Sequence, residues 1–195
     1  MAKLVANISV SLDGVMQAPA RSDEDTRGNF KYGGWATPYF DPTMAETAAK
    51  GMATTPSVLL GRRTYKDFYK VWAGRTDNPF SQFFDKTQKY VASRTLSELT
   101  WINSTLLKGD ATESVAKLKQ TAENDLLVLG SGHLLLSLMA DDLVDEFILS
   151  IHPIVLGSGR RLFADSSPYR TLQLVDSKIT STGVIMATYR PNRAD

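Results

Sequence analysis

Small residues separate an apolar strand from an apolar helix in the segment LLVLGSGHLLLSLM (126–139). Glycines at such a turn let a ligand approach the backbone closely, and the N–H groups at a helix start favour an anion. The match to the dinucleotide fingerprint G-x-G-x-x-G is partial, because Leu135 replaces the third glycine. A tight turn without a ligand would use the same glycines, and His133 would then only be accommodated at the helix edge. The candidate phosphate-binding residues are Gly130, Ser131, Gly132, His133 and Leu134.

Two further strand ends carry groups that suit a phosphate. The first is VLLGRRTYKDF (58–68), whose guanidinium groups match phosphate geometry, and the second is KYVASRT (89–95). The alternative for the first is a pair of solvated arginines followed by Thr64 as a helix N-cap. Ligands of open α/β sheets bind beyond the carboxyl ends of the strands, so the three ends together predict a phosphorylated dinucleotide. The candidate residues on these two ends are Gly61, Arg62, Arg63, Thr64, Ser93 and Arg94.

The composition excludes several classes of protein. Its 22 basic and 21 acidic residues give a net charge of +1, so no bulk attraction to nucleic acid or to an anionic membrane is expected. No apolar run approaches the roughly 20 residues of a membrane span. With no cysteine and two isolated histidines, a metal site is not expected either. These features predict a soluble, cytoplasmic protein without a structural metal.

Hydrophobic patterning predicts an α/β fold. The early strands are separated by helices whereas the last three are not, which favours a largely parallel sheet with antiparallel strands at its C-terminal end. Asp110 is the expected N-cap of one helix, and Pro42 after Asp41 opens another. The predicted strands are 3–10, 57–60, 89–92, 100–103, 126–129, 144–151, 171–176 and 183–190. The predicted helices are 42–53, 64–71, 111–122 and 133–142.

Two long segments, 17–41 and 73–88, have no regular pattern. Loops of this length inside a compact domain are uncommon and often functional, although a disordered surface insertion is the alternative. Five aromatic residues in the first segment favour an ordered, functional loop.

The order of motifs resembles the dihydrofolate-reductase-like superfamily. The matching stretches are SLDG (11–14), LLGRRTY (59–65), YVASRT (90–95) and the long run 126–163. More narrowly, the chain is similar to bacterial proteins grouped with the reductase domain of the bifunctional riboflavin deaminase-reductase. The resemblance implies one three-layer domain over 1–195 with a mostly parallel eight-stranded sheet. It also implies NADPH as hydride donor and a homodimer.

The resemblance assigns roles to the candidate residues. Residues 61–64 would hold the adenosine side of NADPH, Ser93 and Arg94 its 2′-phosphate, and 130–134 its pyrophosphate. The loop that contains Asp13 would lie over the nicotinamide, and Glu46 is near the place of the pterin-binding carboxylate. Asp41 is the second candidate for that carboxylate, and Trp35 and Phe40 are expected to stack on a planar substrate. The catalytic candidates are therefore Asp13 and Glu46, and the substrate-binding candidates are Trp35, Phe40 and Asp41.

The implied activity is reduction of a small heterocycle, of the 5-amino-6-(5-phosphoribosylamino)uracil reductase type in riboflavin biosynthesis. GRRTYKDF (61–68) stands where riboflavin reductase domains carry an Asp-Asp-Pro motif and is closer to dihydrofolate reductase, so a pterin or dihydrofolate reductase is the alternative. A non-catalytic NADPH-binding module and a binder of another phosphorylated metabolite remain open. LGSGRRLF (156–163) resembles a further phosphate loop, but in the family it is a structural crossing between strands.

Overall fold

The computed structural model describes residues 1–55, 57–163, 167 and 169–192. Its strands are β1 (Leu4–Ser11), β2 (Ser57–Gly61), β3 (Gln88–Ala92), β4 (Ser104–Leu107), β5 (Leu126–Leu129), β6 (Glu146–His152), β7 (Leu172–Ile179) and β8 (Ile185–Pro191). Its α-helices are α1 (Pro42–Thr54), α2 (Arg62–Trp72), α3 (Pro79–Lys86), α4 (Ala111–Thr121) and α5 (Gly132–Ala140). The described part of the chain contains no helix long and apolar enough to cross a membrane, and no group of three side chains able to hold a metal ion.

The strands form one sheet in the order β4-β3-β2-β5-β1-β6-β8-β7. Strand β2 pairs in parallel with β3 and β5, and β3 pairs in parallel with β4. Strand β8 pairs antiparallel with both β6 and β7. The predicted mostly parallel α/β sheet with antiparallel C-terminal strands is therefore confirmed.

The chain divides into two compact units. The first unit comprises Met1–Ala6 and Lys50–Asp145 and holds β2 to β5 with α2 to α5. The second unit comprises Asn7–Ala49 and Glu146–Asp195 and holds β6 to β8, the rest of β1 and most of α1. That the whole chain is a single domain stays a prediction.

The first unit has an aromatic core beside β2. Val58, Leu60 and Val91 are fully buried there together with Tyr65, Phe84 and Trp101. The apolar run SVLL of β2 is buried along its whole length, as a strand between two parallel neighbours must be. The predicted cap is also present, because the Asp110 side chain accepts hydrogen bonds from the amides of Thr112 and Glu113 at the start of α4.

The predicted strand 100–103 is wrong, and β4 begins four residues later in the sequence, at Ser104. The reason is Trp101, whose indole is buried in the aromatic core. Its backbone N–H donates to the Tyr65 hydroxyl (2.9 Å), so it is not available to a strand ladder.

The segment 73–88, predicted to be irregular, contains α3. Asn78 caps this helix by accepting a hydrogen bond from the Phe80 amide (2.9 Å), and Pro79 occupies its first position. Phe80, Phe83 and Phe84 then face the aromatic core at helical spacing. This i, i+3, i+4 pattern after an Asn-Pro pair was a helix signal in the sequence.

Candidate functional site

Three strand ends meet at one edge of the first unit. Gly61 pairs with Ala92, and two residues earlier Leu59 pairs with Val128. The carboxyl ends of β2, β3 and β5 therefore lie side by side, as expected for the three predicted phosphate-binding segments. Gly61 is the last residue of β2, and the other predicted phosphate-binding residues, 62–64, 93–94 and 130–134, follow these ends.

Two hydrogen bonds fasten the turn after β2 to the turn after β5. The Gly61 amide donates to the Ser131 hydroxyl (2.9 Å), and the Ser131 amide donates to the Thr64 hydroxyl (3.1 Å). We call this pair the Ser131–Thr64 latch. Thr64 lies inside the first turn of α2, which begins at Arg62, so the alternative that Thr64 is the N-cap is wrong.

The turn after β5 has an unusual backbone. Gly130 (φ 55°) and Ser131 (φ 52°) both adopt the left-handed conformation, which glycine tolerates and other residues enter only when held there. The latch supplies that restraint for Ser131. Neither α2 nor α5 has a side-chain cap, so the amides of their first turns remain available to an anion.

Three arginines lie at this edge, and Arg94 among them interacts electrostatically with Asp110. The side chains of Arg62, Arg63 and Arg94 make no hydrogen bond and no ion pair with any residue that the structure describes. Arg62 is partly buried, and the other two are exposed. Two helix N-termini and three unpaired guanidinium groups make this edge electropositive, so a polyphosphate fits the groups present.

Ser93 and His133 have different surroundings. The Ser93 hydroxyl accepts hydrogen bonds from the Thr95 and Leu96 amides, which shapes the turn after β3. A hydroxyl that accepts twice still has one proton to donate, so Ser93 keeps a donor for a ligand. His133 is exposed in the first turn of α5.

In the second unit, Asp13 is saturated by donors. Its carboxylate accepts from the Ser11 hydroxyl (2.6 Å) and from the amides of Leu156 (3.0 Å) and Gly157 (2.9 Å), and Arg161 lies 3.3 Å away. The Ser11 hydroxyl and then the Leu156 amide hold the pKa of Asp13 far below its usual range. A carboxylate so held carries no proton at neutral pH, and the geometry makes Asp13 the anchor of the 156–161 segment.

The other predicted carboxylates also differ from one another. Asp41 is buried and accepts from the Met44 amide (2.9 Å) and from the amide and hydroxyl of Ser181, and the Met44 amide and Ser181 lower its pKa. Asp41 thus caps α1 and ties it to the turn between β7 and β8. Glu46 lies exposed on α1, a helix without buried residues.

The segment 17–41 is an ordered loop with a small core of its own. Trp35 and Phe30 are buried in it with Val15, Ala18 and Leu156. Gln17, which the sequence did not single out, organises the loop. Its amide group donates to the carbonyls of Asp25 (3.0 Å) and Arg27 (2.9 Å) and accepts from the Arg160 amide. The alternative of a disordered insertion is therefore wrong.

Trp35 does not serve the predicted role. Its ring is buried, its indole N–H donates to the Gln17 carbonyl (2.8 Å), and it packs edge-on against His152 with 5.1 Å between ring centroids. A ring enclosed in this way has no face to stack on a substrate, so this prediction is wrong. His152 is fully buried, and burial lowers its pKa.

Phe40 is presented to solvent between two anchored neighbours. The Tyr39 carbonyl accepts a hydrogen bond from the Thr182 hydroxyl (2.6 Å), and the Tyr39 ring contacts the His152 ring. The Asp41 carboxylate accepts a hydrogen bond from the Ser181 hydroxyl. The Phe40 side chain between them is 56% exposed. An exposed ring on an anchored backbone is well suited to stack on a flat ligand.

Comparison with known proteins identifies the class first. Among solved structures, the fold of this chain is similar to that of a putative riboflavin biosynthesis protein from Shewanella sp. PV-4 (TM-score 0.74, 24% sequence identity). The superposition covers 99% of this chain and 100% of that one. It is also that of dihydrofolate reductase from Enterococcus faecalis, complexed with NADP(H) (TM-score 0.61, 13% identity, 98% and 97%). At these identities the likeness establishes the dihydrofolate-reductase-like fold and no more.

The sequence then gives the family. The model of the RibD C-terminal domain matches residues 2–186, and the chain belongs to that family. The uncharacterized protein YyaP of Bacillus subtilis (strain 168) is 30% identical over 199 residues, which cover 97% of this chain and 95% of that protein. The family is a reductase domain, so this chain is a riboflavin-biosynthesis reductase-like protein.

Proposed function

We propose that this protein is an NADPH-dependent reductase of a small planar heterocycle, of the 5-amino-6-(5-phosphoribosylamino)uracil reductase type, and that it acts as a homodimer. The observation that carries the proposal is the edge of the first unit. Arg62, Arg63 and Arg94 lie there without a hydrogen-bond or ion-pair partner among the described residues, beside two helix N-termini that have no side-chain cap. Unpaired cations at the carboxyl ends of parallel strands are suited to a phosphorylated dinucleotide.

The residues of this edge would share the binding of the cofactor. The first-turn amides of α2 and α5 would hold the pyrophosphate, and the arginines would hold the 2′-phosphate in the bidentate manner of guanidinium groups. The Ser131–Thr64 latch fixes the two turns before any ligand arrives, which reduces the entropy lost on binding. NADPH, when bound, supplies the hydride.

The second unit would supply the contacts to the substrate. Phe40 is the proposed stacking residue because its ring is exposed while Tyr39 and Asp41 hold the backbone on either side. Glu46 is the proposed group that binds a ring N–H or assists proton transfer. Asp13 is assigned to positioning, because its carboxylate stays ionised and bonded to the 156–161 segment.

Cofactor binding is tested by titrating the protein with NADPH and NADH and following fluorescence. We expect tighter binding of NADPH, and a loss of about 10-fold or more in NADPH affinity for Arg62→Ala and for Arg94→Ala. Arg75→Ala is the matched control, because Arg75 is also in the first unit but is paired with Asp77 (2.8 Å). Equal affinities for the two cofactors, or no binding, would contradict the proposal.

Substrate class is tested by following NADPH oxidation. We expect turnover with 5-amino-6-(5-phosphoribosylamino)uracil and a loss of activity in Phe40→Ala that exceeds the loss in Tyr32→Ala, another exposed ring of the same loop. Turnover of dihydrofolate alone would assign a pterin reductase instead. NADPH binding without turnover of either substrate would assign a non-catalytic NADPH-binding module.

A further inference from the structure

The exposed residue Phe40 sits in a stretch of chain that is bonded at three successive positions. Its own amide donates to the Thr37 carbonyl (3.2 Å). The Tyr39 carbonyl and the Asp41 carboxylate accept hydrogen bonds from residues 143 and 140 positions later in the sequence. The Phe40 ring is nevertheless 56% exposed, so these bonds fix the place of a side chain that the fold does not bury.

The donors to both neighbours of Phe40 lie in one turn, residues 180–183, between β7 and β8. The amide and the hydroxyl of Ser181 donate to Asp41 Oδ2 (2.8 and 2.7 Å). The Thr182 hydroxyl donates to the Tyr39 carbonyl (2.6 Å). The turn and its acceptors all belong to the second unit. A single turn therefore holds the chain immediately before and immediately after the exposed ring.

The threonine hydroxyls of this turn form a hydrogen-bond chain with one direction. A hydroxyl has one proton to donate, and Thr182 uses its proton on the Tyr39 carbonyl. In the 3.0 Å contact between the hydroxyls of Thr180 and Thr182, Thr180 must therefore be the donor. The Thr180 oxygen in turn accepts from the Val184 amide (3.0 Å). The chain thus runs from the Val184 amide through both threonines to the Tyr39 carbonyl.

The first members of this hydrogen-bond chain are fixed in the protein core. Thr180 and Val184 are both buried, and the Thr180 amide donates to the Val184 carbonyl (2.9 Å). Gly183 closes the turn with φ +81°, a conformation that glycine adopts without strain. Hydrogen bonds in series polarise one another, so the chain holds the Tyr39 carbonyl more firmly than an isolated hydroxyl would.

We propose that the turn 180–183 is a positioning element of the substrate site, which fixes the Phe40 ring for stacking on the planar substrate. The inference rests on the proposed function of Phe40 and adds Ser181 and Thr182 to it. These two residues act through the backbone on either side of the ring. A ring that is already in place loses less conformational entropy when a ligand stacks on it, so the turn raises the affinity for the substrate.

The opposing interpretation is that the turn only fastens α1 to the sheet. Asp41 accepts from the Met44 amide (2.9 Å) in the first turn of α1 as well as from Ser181, so this bond alone fits either interpretation. The bond from Thr182 does not, because its acceptor is Tyr39, which lies on the other side of Phe40 from the helix. If the turn only stabilised the fold, loss of the Thr182 hydroxyl would lower stability and leave substrate affinity unchanged.

The substitution Thr182→Val separates the two interpretations, because it keeps the shape of the side chain and removes the hydroxyl. With NADPH saturating and 5-amino-6-(5-phosphoribosylamino)uracil or dihydrofolate as substrate, whichever the native chain reduces, we expect KM to rise about 5-fold or more. The value of kcat should stay within about 2-fold, because stacking binds substrate and transition state alike. Ser177→Ala is the matched control in the same hairpin, since the exposed Ser177 hydroxyl makes no hydrogen bond with any described residue.

Two further variants show whether Thr182 acts through the Phe40 ring. Thr182→Ser keeps the hydroxyl and should return KM to within about 2-fold of the native value. In a Phe40→Ala background, Thr182→Val should add no further rise in KM, because the ring that it positions is absent. Additive effects of the two substitutions would place the action of Thr182 elsewhere and overturn the proposal, as would a native KM in Thr182→Val.

Hydrogen exchange measured by mass spectrometry gives a readout that does not need activity. We expect amide exchange over residues 37–41 to become about 10-fold faster in Thr182→Val and to be native in Thr182→Ser, while exchange in β6 stays unchanged. Faster exchange in every segment would mean a general loss of stability and would support the opposing interpretation.

This measurement also distinguishes failure of the turn from failure of the proposed function. A native chain that reduces neither substrate would contradict the proposed function, and the turn would then be judged by exchange alone. Native exchange over 37–41 in Thr182→Val would show that the turn does not fix Phe40, whatever the chain reduces. Faster exchange confined to 37–41 would support the positioning role.

Discussion

Two groups of arginines, one in each unit, differ in their pairing. At the proposed cofactor edge of the first unit, Arg62, Arg63 and Arg94 have no hydrogen-bond or ion-pair partner among the described residues. In the loop region of the second unit, residues 17–41 and 156–161, four arginines each form an ion pair with an aspartate carboxylate. They are Arg21, Arg27, Arg160 and Arg161, with Asp23, Asp25, Asp25 and Asp13 respectively. The comparison shows that charge alone does not mark a ligand site.

The physical difference lies in what each cation can still do. A guanidinium that is paired with a carboxylate already uses some of its N–H donors within the fold. Binding a phosphate with those donors would require the pair to be broken. An unpaired guanidinium in water retains all five donors for an incoming ligand. Paired arginines in the second unit therefore stabilise its loop, whereas the unpaired ones in the first keep their donors and suit the anion of the proposed function.

The largest effect on stability is expected at Gly159, in the segment 156–161 of the second unit, next to the paired arginines Arg160 and Arg161. A Cβ there would come within 2.7 Å of the Phe30 ring and of a Val15 methyl, and its φ is +113°. We expect Gly159→Ala to lower the free energy of unfolding by ~3 kcal/mol, through strain and overpacking together. Chemical denaturation measures this value.

Gly157→Ala is the matched control for Gly159→Ala. Its φ is +72°, but a Cβ there meets no atom within 4 Å. We expect a cost of ~1 kcal/mol from the backbone conformation alone. Equal costs at the two positions would mean that the loop adapts to the new methyl group, and that it is less rigidly packed than its hydrogen bonds imply.

Lys89 sharpens the comparison, because it is a cation of the first unit that is fully committed. It is buried at the amino end of β3, donates to the carbonyls of Phe84 and Thr87, and lies 4.8 Å from the centre of the Trp101 ring. Burial lowers its pKa to about 8, with Asp85 opposing the shift in part. The charged form is therefore less favourable in the folded chain than in the unfolded one.

The pH dependence of stability follows from this shift. Between pH 8 and about 10.5 the unfolded chain keeps a proton on Lys89 that the folded chain has released, so the free energy of unfolding rises with pH in that window. We expect a rise of up to ~3 kcal/mol, and its absence in Lys89→Met. Urea denaturation at several pH values compares the two proteins. An equal rise in Lys89→Met would assign the effect to other groups.

Substitution of Asp13 tests whether a carboxylate that accepts several hydrogen bonds within the fold contributes to stability. We expect Asp13→Asn to lower the free energy of unfolding by ~2 kcal/mol, because an amide keeps one acceptor oxygen but loses the charge that strengthens the bonds from Ser11, Leu156 and Gly157. Since the pKa of Asp13 is lowered in the folded chain, its contribution is present above pH ~4 and is lost on acidification. The difference between native and variant proteins should therefore shrink as the pH falls below about 4.

A role in proton donation would give a different result for Asp13. The variant would then lose turnover while NADPH affinity and stability stayed near the native values. Ser97→Ala, at an exposed serine of the first unit, is a control for handling and stability measurements. A native-like free energy of unfolding in Asp13→Asn would contradict the positioning role.

The sequence predicted the positions of the candidate phosphate-binding residues better than those of the loop 17–41, and the reason is local. Gly61 ends an apolar strand, and residues 62–64, 93–94 and 130–134 each follow directly on one, so the sheet alone determines where they lie. Parallel pairing of β2 with β3 and β5 then brings them together without any long-range detail.

Whether a side chain of the loop 17–41 is buried or exposed depends on contacts with residues that are distant in the sequence. Trp35 is buried because Gln17 and His152 enclose it, and those residues are 18 and 117 positions away. Nothing in the spacing of Trp35 and Phe40 distinguishes the buried ring from the exposed one. The same holds for Trp101, whose bond to Tyr65 displaces the predicted strand.

The comparison of the two sets of arginines is tested most directly by one pair of variants. Arg62→Ala removes an unpaired guanidinium, so we expect NADPH affinity to fall about 10-fold and the free energy of unfolding to change by less than ~0.5 kcal/mol. Arg160→Ala removes the ion pair to Asp25, so we expect a loss of ~1 kcal/mol in stability and NADPH affinity within about 2-fold of the native value. Cofactor titration and denaturation give an NADPH affinity and a free energy of unfolding for each variant. Only the affinity of Arg62→Ala and the free energy of unfolding of Arg160→Ala should change.

The crossed pattern matters more than either value. If Arg160→Ala weakened NADPH binding as strongly as Arg62→Ala, pairing with a carboxylate would not distinguish a scaffold arginine from a ligand-binding one. If Arg62→Ala destabilised the fold, its side chain would have a structural role that its lack of partners does not suggest. Only separate losses, of affinity in one variant and of stability in the other, agree with a first unit that keeps its cations for a ligand and a second unit that uses them to hold its loop.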